Sequence, residues 1–265
     1  MTSLNGHAAL VTGSTKGVGR AIAEACAAAG ADVVIHGRAL GPEARAVMQR
    51  CRAHGVSASF VGGDLAGPTN AAVDEVFEGA VAARPTIDIL VNNAGQCFDV
   101  PFMEMTIERF ARTMQLNVSS GYFLTQRFAR HWIANAVSGR VLFIGSINGR
   151  LAEPNSTAYD TSKGAVEMMV KTLAVALAPH NIRVNGLAPG LVRSASTAWL
   201  DEHPDRAAWL AHHTPNGRIP EAEVCGPGAV YLVSDGAAHV HGHMLMIDGG
   251  MSAWQQPEPR QRIEN

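Results

Sequence analysis

The sequence predicts an α/β fold, a parallel sheet covered by helices, and three observations carry that prediction. Short apolar, β-branched runs alternate with longer alanine-rich amphipathic stretches almost from end to end, the pattern of strand–helix–strand units. A glycine-rich turn stands directly after the first apolar run and before the first helical stretch. The chain has 265 residues, 47% of them hydrophobic and 17% charged, enough for one large core. No repeat, low-complexity tract or linker divides it.

Seven strands are expected, near 8–12, 32–36, 57–61, 87–91, 140–145, 182–187 and 243–247. After the first comes Thr12 and then Gly13, Ser14, Thr15, Lys16, Gly17, Val18 and Gly19, leading into Arg20-Ala21-Ile22. Glycines permit the tight turn and let backbone approach a pyrophosphate, whose charge a helix amino terminus favours.

The second strand, Asp32 to His36, leads into Gly37 and Arg38. A dinucleotide fold often places an acid near this point to bind the ribose hydroxyls of NAD. Here Gly37 stands in that place with Arg38 beside it and Lys16 in the first turn, two cations and no acid. NADP is therefore expected as cofactor, with NAD possible.

The run Val141 to Gly145 ends at Ser146, whose hydroxyl would lie at a strand's carboxyl end, where open α/β sheets place ligands. Farther on, Asn155 or Ser156 can cap a helix after Pro154, which puts Tyr159 and Lys163 four apart on one face. A lysine ammonium beside a phenol favours the phenolate, so Tyr159 could exchange a proton near neutrality.

The glycine spacing Thr-Gly-x-x-x-Gly-x-Gly together with Tyr-x-x-x-Lys resembles the short-chain dehydrogenase/reductase family, in its compact single-domain branch. The resemblance runs from about residue 7 to Asp248-Gly249-Gly250. It implies a Rossmann fold with a doubly wound sheet, spanning 1–254, with a polar tail over 255–265. It also implies that Asp64 and Leu65 border an adenine ring, and that Asn93, Ala94 and Gly95, after Asn92, shape the cofactor floor. Pro189, Gly190 and Val192 match the family's turn over the nicotinamide, with Ser194 where many relatives have threonine. Asn117, Ser146, Tyr159 and Lys163 match its catalytic tetrad, with Tyr159 and Lys163 also touching cofactor.

Around this centre, Gln96, Asn148 and Arg150 are candidate substrate contacts, and their polarity suits a hydroxyl-rich molecule. The resemblance implies hydride transfer between nicotinamide and a carbonyl/alcohol pair, with a sugar, polyol or sugar acid expected. A 3-oxoacyl thioester, another ketone, or an NADP-binding sensor without turnover are the alternatives. Residues 194–220 break the alternation and are expected to form an irregular substrate lid.

A net charge of −2 and pI near 6.6 provide no global basic field, so neither nucleic acid nor membrane is expected as a partner. The helix after Lys163 is apolar nearly all round and calls for a second subunit, a dimer or tetramer. Cys26, Cys51, Cys97 and Cys225 lie far apart, and His239, His241 and His243 fit no usual zinc spacing, so neither disulfide nor metal is expected. Cys97 alone follows a loop bordering the site. The start of the chain has no signal-peptide pattern and no apolar run is long enough to span a bilayer, which suggests the cytoplasm.

Overall fold

A computed structural model describes residues 2–194 and 197–255. Seven parallel strands form one sheet: β1 (Ala8–Val11), β2 (Asp32–Gly37), β3 (Ala58–Gly62), β4 (Ile89–Asn92), β5 (Arg140–Ile144), β6 (Arg183–Pro189) and β7 (Met244–Ile247), in spatial order β3-β2-β1-β4-β5-β6-β7. Most central strands are buried along their whole length, as a sheet covered on both faces requires. That is why they read as continuous apolar runs.

Two cores follow. Helices α1 (Gly17–Ala28), α2 (Pro42–Arg52) and α9 (Cys225–Val233) cover one face. On the other lie α3 (Thr69–Ala83), α5 (Ser120–Ala134) and α6 (Thr157–Leu177), packed around Phe128 and Trp132, neither exposed. Before α5, α4 (Ile107–Met114) runs into a π-helical turn over Gln115–Ser119. Strand order reverses between β1 and β4, so the turns after these two strands open a crevice at the sheet's carboxyl edge.

Two expectations are corrected. Residues 194–220 are not an irregular loop: α7 (Trp199–Glu202) and α8 (Pro204–His212) form within them, α8 starting on Pro204 at its first position. Ser156 occupies the cap of α6, but its side chain caps nothing. Residues 256–265 of the expected tail lie outside the described residues. No helix among the described residues is long and apolar enough to cross a membrane. Among them, no group of three or more His, Cys, Asp or Glu side chains could hold a metal.

Candidate active site

The crevice is built from the turn after β1 outward. Gly13 adopts φ +62° and Gly17 φ +58°, conformations that favour glycine. At Gly19 a Cβ would lie 2.3 Å from Asn93 Nδ2 and 2.5 Å from the Gly13 carbonyl, so only glycine lets the helix start so close to the turn. Thr12 Oγ1 accepts the backbone N–H groups of both Asn93 and Ala94 at 2.9 Å. Asn93 Nδ2 donates to the carbonyls of Thr12 at 2.8 Å and Gly13 at 3.1 Å. The two loops thereby form one floor, and the Asn93 side chain holds it together from within.

β2 supplies the opposite brace. Gly13 N–H donates to His36 Nδ1 at 2.9 Å, Ser14 N–H to the His36 carbonyl at 2.9 Å, and His36 N–H to Ser14 Oγ at 3.0 Å. Burial, opposed in part by the Gly63 backbone and the Asp64 charge, pushes the His36 imidazole down to about 4. It is therefore neutral and free to accept at Nδ1. Ser14 is fully buried and its hydroxyl donates to the Val11 carbonyl at 2.7 Å, so it faces the core.

A dinucleotide fits this cradle. Lys16 gives α1 no side-chain cap, leaving the first N–H groups of the helix for an anion. Lys16 and Arg38 are exposed, and neither is in an ion pair with a described residue. Asp64 is exposed at the crevice, whereas Leu65 is buried in the core around Phe128 and Val18 packs partly against the core on the other face. From the far side, Pro189 ends β6, and Gly190 approaches so near Asp248 that a Cβ would lie 2.8 Å from its Cα. Val192 is buried, and Ser194 comes against Gly17 with Cβ 3.6 Å from the built position.

The four expected catalytic residues converge. Asn117 lies in the π-helical turn, where its buried side chain exchanges two 2.9 Å hydrogen bonds with the backbone of Gln96. Its Nδ2 also donates to Ser162 Oγ at 2.9 Å, and Ser162 donates to the Tyr159 carbonyl at 2.6 Å. Asn117 thus ties the loop after β4 to α6. Lys163 is buried and its Nζ donates to the Ile144 carbonyl at 2.8 Å, 5.5 Å from the centre of the Tyr159 ring. A small cavity beside it is lined by Thr12, Asn92, Ala94, Asn117, Ser120 and Lys163.

The electrostatics differ from the expectation that Lys163 lowers the Tyr159 phenol. Burial pushes Tyr159 up to about 12, and the group that pulls it back is the Ser146 hydroxyl. Burial also pushes Lys163 down to about 8. Both shifts have one cause, a low-dielectric pocket that disfavours each charged form. At neutral pH Tyr159 carries its proton and is a donor.

The substrate candidates separate. Asn148 N–H donates to Ser146 Oγ at 3.1 Å, while Asn148 Nδ2 donates to Asp160 Oδ1 at 2.8 Å. Asp160 Oδ2 also accepts Glu153 N–H at 2.8 Å, so this carboxylate pins the loop carrying Ser146 onto α6. Arg150 instead forks onto Glu167, with contacts of 2.9–3.0 Å. Gln96 is exposed beside Cys97, whose Sγ lies 3.8 Å from Ser156 Oγ. Sequence reading missed His36 and Asp160 as braces. His36 sits inside an apolar strand, and nothing in the spacing of Asp160 marks it.

A Rossmann sheet with a dinucleotide cradle and a tyrosine–lysine pair on one helix defines a class of nicotinamide-dependent enzymes. A family model described as enoyl-(acyl carrier protein) reductase matches residues 13–252. The chain belongs to the short-chain dehydrogenase/reductase family. It is 34% identical to the gluconate 5-dehydrogenase of Gluconobacter oxydans (strain 621H), over 94% of this chain and 96% of that protein. It is 32% identical to the L-rhamnose 1-dehydrogenase (NADP(+)) of Thermoplasma acidophilum, over 95% and 98% respectively. The crystal structure of a gluconate 5-dehydrogenase from Burkholderia cenocepacia J2315 in complex with NADP and tartrate superposes with a TM-score of 0.88. That match is at 32% identity over 96% of this chain and 98% of the other.

Proposed function

We propose that the protein is an NADP-preferring oxidoreductase acting on a sugar, polyol or sugar acid. The observation that carries this is the pairing of Tyr159, Lys163 and Ser146 at one edge of a cradle where the turn after β1 and the end of β2 each expose a cation, Lys16 and Arg38, with Asp64 farther on after β3. The relatives named for gluconate and L-rhamnose support the substrate class, as does the polar character of Gln96 and Asn148.

The bound nicotinamide supplies or takes the hydride. Tyr159, protonated at neutral pH, gives its proton to the carbonyl oxygen as the alcohol forms and takes it back in oxidation. Ser146, held by Asn148, aims its hydroxyl at that oxygen. Lys163 carries charge below about pH 8 beside the phenol, where it would hold the nicotinamide ribose of a bound cofactor. Asn117 holds the loop after β4 against α6 and supports the proton relay.

Initial rates of NADP reduction across sugars, polyols and sugar acids, with NAD in parallel, test this reading. Turnover with NADP on one polyhydroxylated compound is expected. A silent panel with activity on a 3-oxoacyl thioester would move the protein to that alternative, the activity for which a relative from Aquifex aeolicus is named.

The active form is a homo-oligomer. Met103 in the turn before α4, Ile107 on α4 and Val175 on α6 are 90%, 83% and 78% exposed, a large apolar area for a monomer to show water. Light scattering of the purified chain checks this, and a monomer mass would refute it. Free cysteines, three of them buried, suit the cytoplasm.

A further inference from the structure

Gly37 ends β2, and it is not among the glycines of positive φ, so backbone freedom does not account for it. Space does. A Cβ built there would lie 2.7 Å from Thr15 Cγ2, closer than such atoms approach, with Phe60 Cε2 at 3.7 Å behind. The obstructing atom is the methyl of a short β-branched side chain, which has few rotamers in which to retreat.

Nor can the backbone carrying Thr15 withdraw freely. The neighbouring Gly13 and Ser14 are tied to His36 by three hydrogen bonds of 2.9–3.0 Å, in a region where His36 and Ser14 are 3% and 0% exposed. Moving the turn would break buried bonds, each costly to leave unmade. The turn and the end of β2 are thus locked at a separation that admits glycine only.

We propose that Thr15 and Gly37 form a steric lock that sets cofactor choice. The Thr15 methyl denies a side chain to the position where a dinucleotide fold places its ribose-binding acid. The space so kept opens beside the exposed cations Lys16 and Arg38, where a phosphate monoester on the ribose is accepted and a bare ribose finds no carboxylate. The inference rests on the NADP reading and adds to it the pair that enforces it.

The test is a double-mutant cycle on the full chain: wild type, Thr15→Ser, Gly37→Asp and the double variant, each assayed for kcat/KM and dissociation constant with NADP and NAD. Gly37→Asp alone is expected to lose NADP without gaining NAD. The double variant, relieved of the methyl, is expected to exceed Gly37→Asp with NAD by about tenfold or more. Gly37→Ala, with and without Thr15→Ser, repeats the cycle without charge; it should weaken both cofactors alike and be restored by the serine. This pair decides the matter if Gly37→Asp does not fold.

Additive effects in both cycles, or a full switch to NAD by Gly37→Asp alone, overturn the lock while leaving the NADP reading intact. Wild type preferring NAD overturns the NADP reading, and the coupling between the two positions still reports on the lock.

Discussion

The turn after β1 and the segment after β6 face each other across the same crevice, yet they are held in opposite ways. Around the turn, Thr12, Ser14 and His36 are at most 3% exposed and every one is hydrogen-bonded to a neighbouring loop or strand. Across from it, α8 buries no residue and Trp209 is 58% exposed. The segment's contacts include an Arg206 guanidinium 4.4 Å over Trp199 and an Arg193–Asp201 pair at 2.5 Å whose carboxylate is 73% exposed, with Leu200 the buried apolar anchor of α7. Pairs this exposed contribute about 0–1 kcal/mol, whereas an orphaned buried donor costs about 1–3 kcal/mol. The turn after β1 is held by buried hydrogen bonds, whereas α8, in the segment after β6, packs without a buried side chain.

The largest expected effect lies between the two regions. Tyr159→Phe removes the proton donor and keeps the ring, so kcat should fall by about 10²–10⁴. NADP affinity should stay within about twofold, because the cradle after β1 is untouched; stopped-flow binding beside steady-state rates separates the two. Retained turnover would remove Tyr159 from the chemistry.

Next comes the brace of the turn after β1. His36→Leu leaves Gly13 N–H without its acceptor and should weaken NADP binding by about tenfold, while His36→Asn, which keeps an acceptor near Nδ1, should restore most of it. The pH dependence has a definite sign. With the folded imidazole at about 4 against an ordinary 6.5, the unfolded chain takes up a proton in that window and the folded chain does not. Stability is therefore lost as pH falls from 6.5 toward 4, by about 3 kcal/mol in all. Urea titrations across this range should show a shallower fall in His36→Asn, and identical slopes would refute the assignment.

Smallest is the segment after β6. Asp201→Ala breaks the exposed pair with Arg193 and should move the unfolding midpoint by about 1 °C or less. Its effect, a few-fold, should appear in substrate KM with cofactor KM unchanged. A large loss of stability would show that the segment is held more firmly than its exposure implies.

These two regions were also unequally legible. The glycine turn, the cations at 16 and 38 and the Tyr159–Lys163 spacing are local features, since a four-residue interval on a helix or a turn after a strand is set by neighbours in the chain. The strands were placed to within a residue or two because both faces of the sheet are buried and the apolar runs are unbroken. The segment 194–220 was misread as irregular because α7 spans only Trp199–Glu202 and α8 only Pro204–His212, too short for a periodic pattern to show. Arg150 was a substrate candidate by position, but Glu167, 17 residues on, meets its guanidinium only after α6 forms.

By itself, then, the sequence determined the sheet, the glycine turn and the four-residue spacing of Tyr159 and Lys163, because each depends on short-range spacing and burial. Only the tertiary structure decided their state. It brought His36 under Gly13, placed Lys163 on the Ile144 carbonyl, and surrounded Tyr159 with enough protein that burial outweighs the pull of the Ser146 hydroxyl and leaves it protonated. Desolvation and contact between distant segments depend on how the whole chain packs, and no local pattern encodes them.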